Sequence, residues 1–112
     1  MPLRQLARPR WQGYFDHVSK TLGAQRVEIE VTGVGLGDQV AADWIPLTGL
    51  SYDPKDDLLI VFCDGLQHQI QHPRRIDIDH EFDWLHSIDA VDAEGNHHIV
   101  RLKEPLALTQ TA

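Results

Sequence analysis

Only one cysteine occurs in the 112 residues of the chain. That excludes an internal disulfide framework and suits a reducing compartment, so a cytoplasmic location is expected. No apolar run approaches the ~20 residues a helix needs to cross a bilayer. The opening Met-Pro-Leu-Arg-Gln-Leu-Ala-Arg-Pro-Arg has no apolar signal-peptide core, so neither a membrane span nor a leader is expected. Serine is scarce, at three residues. Gly49-Leu-Ser51-Tyr-Asp53 has Asp where a nucleophile elbow needs its second glycine.

Positive charge is also short: ten Lys and Arg stand against seventeen Asp and Glu, for a net charge of -7. It is unevenly spread. Residues 1–26 hold five basic side chains and one acidic, the remainder five basic and sixteen acidic. The acidic body repels nucleic acid and anionic membrane, so neither is an expected partner. The basic N-terminal arm is left to meet an acidic partner or, the simpler reading, to fold against its own acidic body.

Hydrophobic residues make up 42% of the chain, enough for a core without metal or disulfide. Residues 1–8 read as a flexible lead, 9–102 as a single domain and 103–112 as a tail. Pro9 suits a first helical turn. Trp11, Tyr14, Phe15, Val18 and Leu22 recur at spacings of three and four, an aromatic-rich helix face ended by Gly23. Arg26 to Thr32 alternates as a half-buried strand, with Val27, Ile29 and Val31 on one side. Gly33-Val-Gly35-Leu-Gly37 then resembles a phosphate loop, but the fingerprint needs Gly where Asp38 stands, and a glycine-rich turn is the expectation. Gln39 to Trp44 reads as extended, with Val40, Ala42 and Trp44 on one face.

Ile45 to Cys63 reads as the central hairpin. Asp53-Pro54 opens its turn. The apolar side chains change phase near Gly49, where a one-residue bulge would restore one face. Leu58 to Cys63 is apolar throughout, as in a strand covered on both faces. Gln67 to Asp79 alternates around Pro73, which argues for an edge or a break. Trp84 to Val91 and Asn96 to Leu102 are two further strands joined by the turn Asp92-Ala-Glu-Gly95.

Seven histidines bring metal into question. His68 and His72 share a helix face at four residues apart, but in a strand they lie roughly 13 Å apart, too far for one ion. His97 and His98 point to opposite faces. No metal and no cofactor is expected unless histidines meet across strands. Asp77, Asp79, Glu81 and Asp83 alternate like a calcium loop, but Phe82 and Ile88 occupy the places of its Gly and Glu. A solvated acidic face is expected instead. Cys63 ends an apolar strand and reads as a buried thiol. His68, His72 and Arg74 share a parity with isoleucines and form the candidate binding surface.

Several features in order resemble a bacterial family, domain of unknown function 5335. They are Trp11 with Phe15, Leu36-Gly37, Gln39-Val40, Pro46-Leu47, Gly49-Leu50-Ser51-Tyr52-Asp53, His68-x-Ile70-x-x-Pro73-x-x-Ile76, Ile88, Asp92, Gly95 and Arg101-Leu102. The resemblance implies an uncharacterised bacterial protein and brings no reaction, cofactor or substrate. The whole reads as an α+β domain: an N-terminal helix packed on an antiparallel, curled or barrel-like sheet of about six strands. The functional expectation is a non-catalytic binding or assembly module that docks a protein partner or self-associates. The alternative is a small metal-dependent or histidine-using enzyme.

Overall fold

The structure, a computed structural model, describes residues 3–108. Methionine 1, Pro2 and the last four residues of the expected tail lie outside the described residues. The elements in chain order are β1 (Leu3–Gln5), a 3-10 turn (Arg8–Arg10), α1 (Trp11–Lys20), β2 (Gln25–Gly33), β3 (Gly37–Asp53), β4 (Leu58–Cys63), β5 (Leu66–Gln71), β6 (Arg75–Glu81), β7 (Trp84–Val91) and β8 (His97–Ala107). All eight strands join one antiparallel sheet in the order β1-β6-β7-β8-β2-β3-β4-β5.

Among the described residues there are eight strands rather than about six, from two local causes, and one strand is longer than expected. Pro73 has no N–H for a ladder and splits the expected long strand into β5 and β6. Residues 3–5, read from sequence as part of a lead, pair with β6 through Leu3↔Asp79 and Gln5↔Asp77. In the expected tail, β8 continues to Ala107 opposite Trp84, and Leu106 and Leu108 are buried.

Among the described residues the sheet is open, with β5 and β1 as its two edges, but it is strongly curled. Laid flat, β5 and β8 would lie four spacings apart, roughly 19 Å. Instead His68 of β5 and His98 of β8 touch at 2.9 Å. The link from Gln71 to Arg75 tells the same story: it can span only about 14 Å, yet it joins strands six places apart in the sheet order.

The helix fills the hollow of this curl. Trp11, Phe15 and Val18 are almost wholly excluded from water, as the periodicity predicts, and Leu22 closes the row. They pack among Val27, Ile29, Leu50, Leu59, Ile76, Leu85, Ile88 and Val100. The Trp11 Nε1–H donates to the Leu6 carbonyl at 2.8 Å. Its ring meets Tyr52 edge-on, with centroids 5.1 Å apart.

The expected bulge is present: register shifts between Leu47 and Gly49, so Leu47, Leu50 and Tyr52 all face inward. A bulge leaves backbone groups without ladder partners. Just past it, where β2 no longer pairs with β3, Ser19 of α1 donates to the Leu50 carbonyl at 2.6 Å and accepts from the Leu50 amide at 2.9 Å.

Three expectations need correction. β4 is buried on one face only: Leu59, Val61 and Cys63 are inside, while Leu58, Ile60 and Phe62 are half-covered. Val40 is exposed although Ala42 is buried, because two register shifts between β2 and β3 break the alternation. Asp79 is buried rather than solvated, lying opposite Leu3 where β1 covers β6. The glycine-rich segment is a turn, as expected, with Gly35 and Gly37 at positive φ. At Gly33 any Cβ would collide with the side chain of Asn96, so the β2–β3 and β7–β8 turns can meet closely there.

Candidate functional site

The turn between β7 and β8 organises the site. Asp92 Oδ1 accepts from the amides of Glu94 at 2.9 Å and Asn96 at 3.0 Å. Gly95 takes the positive φ of 86° that closes the turn. This leaves Oδ2 directed at His98 Nε2, 2.9 Å away. His98 Nδ1 in turn lies 2.9 Å from His68 Nε2, with the two rings tilted at 50°. Burial pushes the Asp92 carboxyl up, but hydrogen bonds from His98 and the two turn amides outweigh it and hold it below its ordinary range.

An ionised Asp92 can only accept, so it fixes the order of protons along the chain. His98 donates from Nε2 to Asp92. In its neutral form its Nδ1 then accepts from His68 Nε2–H, and the lone pair of that unit falls on His68 Nδ1. Burial, reinforced by the neighbouring His98, lowers the His68 pKa from 6.5 to about 4, so the ring is neutral at pH 7. Beside the chain runs a groove of about 470 Å³ lined by Gln69, Gln71, His72, Asp92, Ala93, Glu94 and His98.

The three predicted binding residues do not share one strand face. His68 faces inward from β5 and is half-buried. His72 sits beyond the end of β5 at φ 53°, exposed, with Nδ1 3.4 Å from Asp57 Oδ2. Arg74 lies beyond Pro73, exposed, and its Nε donates to the Asp92 carbonyl at 3.2 Å. Yet all three reach the same turn: His68 through His98, Arg74 through the carbonyl and His72 as part of the groove wall. Asp92 and His98 were not singled out from sequence as site residues. The alternation of His97 and His98 was a usable signal, because His97 does turn outward, to Asp89 at 3.1 Å, and His98 inward.

Histidines do meet across strands, but the ring nitrogens of His68 and His98 are directed at each other. Among the described residues, no three His, Cys, Asp or Glu side chains gather as a metal site. Cys63 is buried and unbridged, its thiol pKa pushed up by burial.

A second polar cluster sits where the chain enters α1. Arg8 donates to Asp57 Oδ1 at 3.3 Å and to the Pro73 carbonyl at 2.9 Å, and lies over the Trp11 ring at 4.2 Å. The Tyr52 hydroxyl donates to Asp57 at 2.7 Å, which more than any other contact lowers the Asp57 pKa. This clasp ties the N-terminal segment to the β3–β4 turn and to the β5–β6 link.

A family of unknown function (DUF5335) matches residues 3–111. An uncharacterized protein of Aquifex aeolicus (strain VF5) is 40% identical over 111 residues, covering 98% of this chain and all of that protein. No solved structure matches significantly. No helix among the described residues is long and apolar enough to cross a membrane.

Proposed function

The chain belongs to that family of unknown function, DUF5335, and from that premise we propose that it is a non-catalytic binding module. It docks an extended segment of a protein partner along β5, in the groove between that strand and the turn at Asp92. The observation behind this reading is the unguarded edge of β5. Among the described residues the strand pairs with β4 alone, and its six residues, Leu-Gln-His-Gln-Ile-Gln, include no charge and no proline. Soluble proteins usually blunt such an edge. The opposite edge is blunted: β1 is three residues long and carries Arg4.

An extended peptide adds to an edge through main-chain hydrogen bonds and gains specificity from side-chain pockets alongside. The groove supplies carboxylates at Asp92 and Glu94 and amides at Gln69 and Gln71. It suits a segment rich in hydrogen-bond donors. The Asp92–His98–His68 chain holds β5 in position, Arg74 braces the turn and His72 forms part of the wall. A single buried thiol is consistent with work in the cytoplasm.

Selection from a random peptide-display library tests the proposal. Saturable binders should emerge that weaken on Gln69→Lys, which places a charge on the edge, and that leave the far-UV spectrum of the variant unchanged. A library with no saturable binder, together with light scattering that finds wild type monomeric, overturns it. A second reading, a histidine-using enzyme, is favoured by the lone pair that the relay leaves on His68 Nδ1. It requires a turnover that His68→Gln abolishes without loss of folding.

A further inference from the structure

Residues 4 to 14 bring three basic or hydroxyl groups to one place, away from the groove at Asp92. Arg4 of β1, Arg10 at the start of α1, Tyr14 one turn later and His80 of β6 line a cavity of about 190 Å³, together with Gln5, Leu6, Ala7 and Ile78. The volume holds a small anion with a few waters. Both arginines act on the Tyr14 hydroxyl electrostatically, so their positive fields overlap at the cavity. Neither makes a salt bridge among the described residues, whereas the nearby Arg8 is bound to Asp57.

Two neutral groups, Tyr14 and His80, stand beside them. Burial raises the Tyr14 pKa despite the two arginines, so the phenol keeps its proton. Its oxygen lies 3.2 Å from His80 Nδ1. Burial and Arg4 both lower the His80 pKa, with Asp83 and the Phe82 carbonyl opposing. Rotation about the phenolic C–O bond carries the Tyr14 proton from His80 toward the cavity. Next to it, Arg4, His80, Glu81 and Phe82 line a shallower depression. Phe82 is 90% exposed there and is held at φ 56°, a backbone conformation unusual for a phenylalanine.

We propose that the cavity between Arg4, Arg10, Tyr14 and His80 binds a phosphate group. Two guanidinium groups and a hydroxyl offer more donors, in more directions, than a carboxylate can accept, and their charge matches a tetrahedral dianion. Glu81 is the one acid lining the adjoining depression, and Asp83 acts on His80 electrostatically, so together they limit how far a ligand's negative charge extends that way. Phe82 offers an aromatic face to any flat ring that the phosphate carries. The ligand is therefore inorganic phosphate or a small phosphate monoester.

Amide NMR titration at low ionic strength tests this with three probes: inorganic phosphate, adenosine monophosphate and acetate. Phosphate should shift amides at residues 4–14 and 78–82 saturably, and acetate should bind at least about tenfold more weakly. Arg10→Gln should weaken phosphate about tenfold, and Arg101→Gln, on the far side of the sheet, should leave it unchanged. Adenosine monophosphate binding tighter than phosphate, with the gain lost in Phe82→Ala, identifies a ring-bearing monoester; equal binding identifies inorganic phosphate. The proposal fails if phosphate gives no saturable shifts in wild type, if the double variant Arg4→Gln/Arg10→Gln binds as wild type does, or if acetate binds as well as phosphate. Matching melting curves for wild type and variants exclude unfolding as the cause of lost binding.

Discussion

The polar network at Asp92 and the arginine cavity at the start of α1 are opposites in how their charges are met. At Asp92 both carboxylate oxygens are engaged, one by turn amides and one by His98, and His98 passes the contact on to His68. At the cavity, Arg4 and Arg10 both act on the Tyr14 hydroxyl and neither forms a salt bridge among the described residues. A saturated network rigidifies the protein around it. Like charges left together cost stability and persist where something else uses them. The first cluster is therefore expected to act through folding, by holding β5 and its groove in place, and the second to meet a ligand directly.

That contrast can be broken most sharply at Asp92. Asp92→Ala removes a turn cap and the partner of a buried imidazole, and should lower unfolding free energy by about 3 kcal/mol in urea titration. A loss below about 1 kcal/mol would mean that the network is incidental.

Acid provides the next test. Folded His68 titrates at about 4 and the unfolded ring near 6.5. Between these values the unfolded chain binds more protons, so stability falls as pH drops through the window and levels off below it. Partial exposure of the ring trims the effect to about 2 kcal/mol. His80, also lowered, adds to the fall beneath 6.5, and Asp92 adds its own loss at more acid pH. Denaturation of His68→Gln at pH 7, 5.5 and 4.5 should show a flatter profile than wild type; an identical slope would assign the acid sensitivity elsewhere.

Arg8 lies between the extremes, charged and bonded but largely exposed. Arg8→Ala should cost about 1 kcal/mol, through Asp57, the Pro73 carbonyl and the Trp11 face. Arg10→Gln should have the smallest effect, within about 0.5 kcal/mol of wild type or slightly stabilising. A larger loss in thermal or urea unfolding would show that Arg10 is structural.

Local features were legible before any fold was known. The spacing of Trp11, Phe15 and Val18 marked the buried helix face, since a 3.6-residue period leaves few alternatives. Asp53 was expected to cap its turn and does, accepting from the Lys55 amide at 2.9 Å. The phase change at Gly49 predicted a bulge, because strand side chains alternate with a period of two. Strand number was harder: three residues at β1 carry no pattern, and one proline divided a run that alternation joined.

The site followed a different logic. His68 and His98 are 30 residues apart, and three strands of the sheet order lie between theirs. Periodicity could say that each faces inward, but not that they meet. Their contact depends on how far the sheet curls, and the curl is set by the bulges, the twist and the single helix packed inside it. Turns, faces and the helix depend on neighbours a few residues away, and the chain states those directly. The relay and the arginine cavity depend on distances across the whole sheet, which only the packed core determines.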